Sequence, residues 1–145
     1  MRLLIFHVER FSYTATQKGR SVLVEPLASK TQTFEDGLLI LAAAEAGDER
    51  DPDLVCEQAA AEVGNLAAQL GAVRALVHPF AHLFGEPAPL EAARDVLDLL
   101  VQKLRERALD AHRSPFGWFF SWELRARGHP MSRLARRFTV MHADD

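Results

Sequence analysis

Cysteine is nearly absent, with Cys56 the single one in 145 residues. That excludes a disulfide framework and a cysteine-based zinc site, and it suits any reducing compartment. Cys56 falls inside a predicted helix and is not read as a catalytic thiol. No long apolar run is present: the stretch from Gly37 to Ala44 is about half of what a membrane-spanning helix needs. Charge returns at once after Leu3–Val8 and no small-residue cleavage site follows, so the start reads as the first strand of a cytoplasmic protein. Four common signatures are missing: the Gly-x-Ser-x-Gly elbow, the Walker loop, Gly-x-Gly-x-x-Gly and His-Glu-x-x-His. Internal repeats and linkers are missing as well, and any chemistry must be of an uncommon kind.

What is present fits one packed unit over residues 1–145. The hydrophobic share is 48% and the charged share 26%, the balance of a globule and not of a disordered tail. A chain of this length removes roughly 70% of its unfolded surface from water, enough for a core without staples. The formal net charge is −3, but the charges are not evenly spread. Nine acids lie between Glu35 and Glu62 against the single base Arg50. Between Leu124 and Arg137 stand Arg125, Arg127, Arg133, Arg136 and Arg137 with His129 and no acid. Arginine suits bidentate phosphate contacts, so this segment is a candidate polyanion-facing surface; the alternative is a solvated face.

Hydrophobic periodicity predicts strands at Leu3–Val8, a pair through Phe11–Tyr13 and Ser21–Glu25, and then one at Gly37–Glu45. Asp51 and Pro52 start a helix, because Asp accepts orphan N–H bonds at the cap and Pro at the first position has none to leave unmade. Val55, Ala59, Val63, Leu66 and Leu70 form its stripe, and Gly71 ends it. Val73–His78 reads as a strand broken by Pro79, followed by a loop to Pro89 and a second helix from Leu90 with the stripe Ala93, Leu97, Leu100 and Leu104. Trp118–Arg125 alternates as a strand, with Trp118, Phe120, Trp122 and Leu124 on one face. Gly128, His129 and Pro130 turn the chain, and Arg133–Val140 reads as a short helix plus a strand. The order implies an α/β fold in which a mixed, barrel-like sheet packs against two helices.

His78 and His82 have the spacing of a metal pair, but Pro79 breaks the helix that would align them and no third ligand stands near. Two loops carry a rigid Pro before an aromatic and a small residue: Pro79-Phe80-Ala81 with His82, and Pro115-Phe116-Gly117. Small residues let a ligand approach the backbone closely, although the same pattern also describes ordinary turns with Phe80 and Phe116 plugging the core.

The run His78–Leu83, the run Ser114–Phe119 and the run Arg127–Leu134, in this order and spacing, resemble the archaeal-type N-terminal editing domain of threonyl-tRNA synthetase. The similarity extends to Leu3–His7 with Glu9–Phe11, and to Ala44-Glu45 ahead of the Asp51-Pro52 helix start. The resemblance implies a fold shared with D-aminoacyl-tRNA deacylases, a homodimer, and hydrolysis of seryl-tRNA for threonine. It implies a pocket formed by Ala44, Pro79, Phe80, Ala81, His82, Phe116, Gly117, Phe119 and Phe120, with Ala81, His82 and Phe120 at the reacting centre and His129 supporting the wall. Main-chain groups would hold the ester, and the ribose 2′-hydroxyl of the terminal adenosine would help activate water. No metal or cofactor is expected.

Two positions depart from the family pattern. Many archaeal members carry Lys where this chain has Phe120, and Glu where it has Arg133. Either a main-chain and ribose mechanism works without them, or the activity is altered; persistence of both loops favours the first. A complete synthetase also needs a catalytic core and an anticodon-binding domain, for which 145 residues leave no room. The chain is therefore read as a freestanding deacylase or an excised domain, with aminoacylated tRNA and a threonyl-tRNA synthetase as expected partners. Rival readings are hydrolysis of D-aminoacyl or other mischarged tRNA, and a noncatalytic tRNA-binding module.

Overall fold

In the computed structural model, which describes residues 1–140, Arg2–Lys18 forms one continuous strand, β1. Two strands were expected here, divided at Glu9-Arg10 where the alternation breaks. The break is a register irregularity inside the strand, not a turn. It changes the parity of the strand, so that Leu4, Phe6 and Val8 before it and Phe11 and Tyr13 after it pack into the same cluster. β2 spans Thr31–Ala43 and starts six residues before the predicted Gly37. Its first residues are polar and carry no apolar signal; instead they pair hydroxyls across the ladder, Ser12 with Thr33 at 3.3 Å and Thr14 with Thr31 at 3.0 Å.

Ser21–Glu25 is not a strand. The segment before β2 is tied to the chain around Gly117 by single bonds, Gly19 N–H to the Gly117 carbonyl at 2.7 Å and Glu25 N–H to the Phe116 carbonyl at 3.0 Å. Val22, an apolar residue of the predicted strand, is fully exposed.

Both helices stand where they are expected, the first from its caps and the second from its apolar stripe. Helix α1 covers Pro52–Leu70, with Leu54 N–H donating to the Asp51 carboxylate at 3.1 Å and Gly71 at φ +68° closing it. Helix α2 covers Leu90–Glu106. Strand β3 (Arg74–Pro79) lies parallel to β2, and β4 (Asp110–Arg113), which has no legible pattern, lies parallel to β3. β5 (Trp118–Ala126) and β6 (Arg133–Arg137) both run antiparallel to β1, along its two halves. The helical turn predicted near Arg133 is absent: Arg133–Arg137 is strand, because β1 offers its open edge and Leu134 packs against the core.

The result is a six-stranded mixed sheet, β4-β3-β2-β1-β5 with β6 also on β1, and the barrel-like α/β architecture expected. One apolar layer lies between the sheet and the two helices and contains Leu3, Ile5, Leu38, Ile40, Val63, Leu97 and Leu100. Cys56 is sealed in it, donates to the Val96 carbonyl at 3.3 Å, and is pushed by burial to a pKa of about 12, which keeps the thiol protonated and inert. A second layer covers the opposite sheet face, where Phe11, Tyr13, Leu39 and Leu76 are joined by Phe80 and Phe120. Among the described residues no helix is long and apolar enough to cross a membrane.

Candidate functional site

The parallel strands β2, β3 and β4 end at Ala43, Pro79 and Arg113, and the loops that follow them meet beyond those ends. In open α/β sheets this is where ligands bind. A cleft of about 470 Å³ opens there, lined by Ala42–Ala44, by His78–His82, by the start of α2 and by Pro115–Phe120.

The first loop is held from below and from the side. Phe80 N–H donates to the Ala42 carbonyl at 2.9 Å and Ala88 N–H to the Ala44 carbonyl at 3.0 Å, closing both ends of the loop on β2 and its extension. Arg2 donates to the Leu83 carbonyl at 3.1 Å and pairs with Glu45 at 3.0 Å. The second loop is organised by Glu25. Its carboxylate accepts from Arg113 at 2.7 and 2.9 Å and from Phe116 N–H at 2.7 Å, while its carbonyl accepts from the Trp118 indole at 2.8 Å. The Arg113 guanidinium beside Glu25 holds its carboxyl below the usual carboxylate range. Gly117 sits at φ +95°, and a methyl there would lie 2.4 Å from the Leu23 carbonyl oxygen and 2.6 Å from the Val24 Cα. Only glycine fits.

The cleft is mainly apolar, and among the described residues His78 and His82 are the ionisable side chains that line it. His78 is buried on its floor, bonded through Nδ1 to Ser114 Oγ at 2.6 Å and ringed by Phe11, Tyr13, Phe120 and Trp122 at 5.2–5.5 Å. Burial pushes its pKa down to about 4, so it is neutral at physiological pH. His82 is exposed, edge-on to Phe80 at 5.7 Å. The N–H groups of Ala81, His82 and Gly117 have no acceptor among the described residues.

Ala44, Pro79, Phe80, Ala81, His82, Phe116, Gly117, Phe119 and Phe120 are thus brought around one cleft. His129 is not. It lies on the turn between β5 and β6, where its Nε2 is 2.9 Å from His7 Nδ1. Because Met131 N–H donates to its Nδ1 at 3.2 Å, the Nε2 of neutral His129 carries the proton and donates to His7. The five arginines also separate. Arg125 pairs with Glu9, Arg127 with Asp36 at 2.7 Å and Arg136 with Glu62 at 2.7 Å, whereas Arg133 and Arg137 are exposed without a carboxylate partner among the described residues. Sequence reasoning missed Glu25, whose place at the second loop has no local signal. It dismissed His78 as half of a metal pair although its neighbour Pro79 already placed it at the strand end.

The family model of the archaea-specific editing domain of threonyl-tRNA synthetase matches residues 1–138. The chain belongs to that family. A threonine–tRNA ligase of Methanopyrus kandleri is 35% identical over 145 residues, covering 100% of this chain and 23% of that protein. The chain thus spans about a quarter of the length of the ligases it matches. Two solved structures share the fold. One, a "c-Myc DNA unwinding element binding protein", has a TM-score of 0.65 at 12% identity and covers 97% of this chain and 100% of the other. The other, a probable eukaryotic D-amino acid tRNA deacylase, has a TM-score of 0.62 at 9% identity and covers 93% and 98%. The family model agrees with the resemblance drawn from the sequence runs, and the shared fold agrees with the barrel-like α/β sheet expected from the order of elements.

Proposed function

We propose that this editing domain hydrolyses the ester of seryl-tRNA for threonine. The observation that carries the reading is the convergence of both Pro-Phe loops on one apolar cleft that offers main-chain N–H groups and, among the described residues, no carboxylate or ammonium. Water adds to the ester carbonyl, the developing oxyanion accepts from N–H donors of Ala81, His82 or Gly117, and the 3′-oxygen of the terminal adenosine leaves with a proton. The neighbouring 2′-hydroxyl relays that proton, which is the work a protein base would otherwise do. Phe120, where the resemblance implies Lys in many archaeal members, then removes nothing essential: it packs edge-on against Tyr13 at 5.3 Å and forms part of the apolar wall. In a water-poor cleft fixed dipoles act more strongly than in solvent.

Selectivity has a physical need. Serine is threonine less one methyl, a difference worth only about 1–3 kcal/mol to a binding pocket, so a second and smaller sieve is useful. The reaction belongs to the cytoplasm, with aminoacylated tRNA as substrate and a threonyl-tRNA synthetase as its source. A homodimer is part of the reading. Leu124 on β5, 40% exposed, offers apolar surface to a second copy, which sedimentation of the purified protein reports. The test of function is the initial rate on seryl-, threonyl- and D-seryl-tRNA in parallel. Fast release of L-serine with slow release of threonine supports it; preference for the D-ester, or no rate above buffer, rejects it.

A further inference from the structure

Nothing among the described residues explains the place of Phe84 in the fold. It is wholly exposed and holds φ +67°, in the left-handed region that a bulky side chain rarely adopts. It therefore adds strain and apolar exposure without packing in return, a combination that points to use by a ligand. The loop around it is not loose. Leu83 is held by Arg2 at 3.1 Å, and Glu86 accepts from Ala46 N–H at 2.9 Å.

The position matters. Phe84 follows the cleft-lining Ala81 and His82, and it also lines a second, polar groove of about 370 Å³. Arg2 and Arg137 line that groove too, and they stand directly opposite each other on β1 and β6. Like charges across a ladder repel unless an anion lies between them. Glu45 compensates Arg2 at 3.0 Å, while Asp48 is taken up by the Met1 ammonium at 2.9 Å. Glu86 is the other carboxylate of the groove. Arg137 is left without a carboxylate among the described residues, in the same groove as an exposed aromatic ring.

We propose that Phe84 and Arg137 form a single-strand nucleotide platform that continues the cleft: a base next to the terminal adenosine stacks on the Phe84 ring, and Arg137 faces its phosphate. This rests on the reading of the cleft as the seat of a tRNA 3′ end. Aromatic stacking of unpaired bases tolerates any sequence and suits a single-stranded end.

The probe is the fluorescein-labelled ribotetranucleotide ACCA, titrated by anisotropy against wild type, Phe84→Ala, Phe84→Trp and Arg137→Gln. Phe84→Ala should weaken binding by roughly 5- to 100-fold without lowering the melting temperature, and Phe84→Trp should restore it. Arg137→Gln should flatten the salt slope of binding by about one unit. Equal affinity of Phe84→Ala and wild type overturns the platform, as does failure of Phe84→Trp to restore an affinity that alanine had lowered. Hydrolysis of seryl-tRNA by wild type is scored separately. If ACCA binds in the predicted manner while no ester is cleaved, the platform stands and the catalytic reading falls.

Discussion

Glu25→Ala should undo the second wall of the cleft. The carboxylate makes two charge-assisted bonds to Arg113, at 2.7 and 2.9 Å, and one to Phe116 N–H at 2.7 Å. Removing one partner of a buried pair costs about 3–5 kcal/mol. The Glu25 side chain is 24% exposed and Arg113 keeps Asp98 at 2.7 Å, so we expect about 2–3 kcal/mol. For a domain of this size that is a fall of roughly 5–10 °C in melting temperature at pH 7. The folded carboxyl titrates below its unfolded value, so its contribution is full above the unfolded pKa and is lost as pH falls through the folded one. The gap between wild type and Glu25→Ala must therefore narrow as the solution is taken from pH 7 to pH 3. Circular dichroism melts at the two pH values check this, and seryl-tRNA hydrolysis should fall with loop order. An unchanged melting temperature at pH 7, or an equal gap at both pH values, refutes the role assigned to Glu25.

Gly117→Ala combines a positive φ with backbone overlap at 2.4 Å, so the loop must shift. We expect a loss of at least about 1–3 kcal/mol and of most deacylation, read by melting and by initial rates. Ser114→Ala leaves the buried His78 Nδ1 unpaired and should destabilise by about 1–3 kcal/mol in chemical denaturation. His78 has a folded pKa near 4, so the unfolded chain binds more protons between there and its own pKa of about 6.5, and stability falls as pH drops through that window. His78→Phe should flatten that part of the stability–pH curve. Arg136→Ala removes an ion pair with Glu62 and should leave the salt slope of tRNA binding unchanged, in contrast to Arg137→Gln.

Much of the fold was legible because it is written locally. Asp51, Pro52 and Gly71 mark α1 by chemistry that needs no distant partner, and the alternation of β5 survives because one of its faces is apolar. β4 was illegible: Asp110–Arg113 is strand only because β3 presents an edge, and four residues without alternation carry no periodic signal. Leu3–Val8 and Phe11–Tyr13 looked like two strands because an extra residue inside a ladder reverses the pattern just as a turn does. The cleft could be anticipated where two rigid corners follow strand ends, whereas the service of Glu25 to Phe116 across 91 positions leaves no trace in spacing. The arginine cluster is divided in the fold. Its charge accumulates along the chain, but Glu9, Asp36 and Glu62 reach three of the five guanidinium groups from other elements.

The most direct measurement compares seryl-tRNA ending in adenosine with the same tRNA ending in 2′-deoxyadenosine, charged at the 3′-hydroxyl. If main-chain donors and the terminal ribose do the work, the deoxy substrate is hydrolysed at least about 100-fold more slowly while its affinity is retained. Comparable rates on the two would mean that a protein side chain supplies the base, and the ribose-assisted mechanism would be wrong.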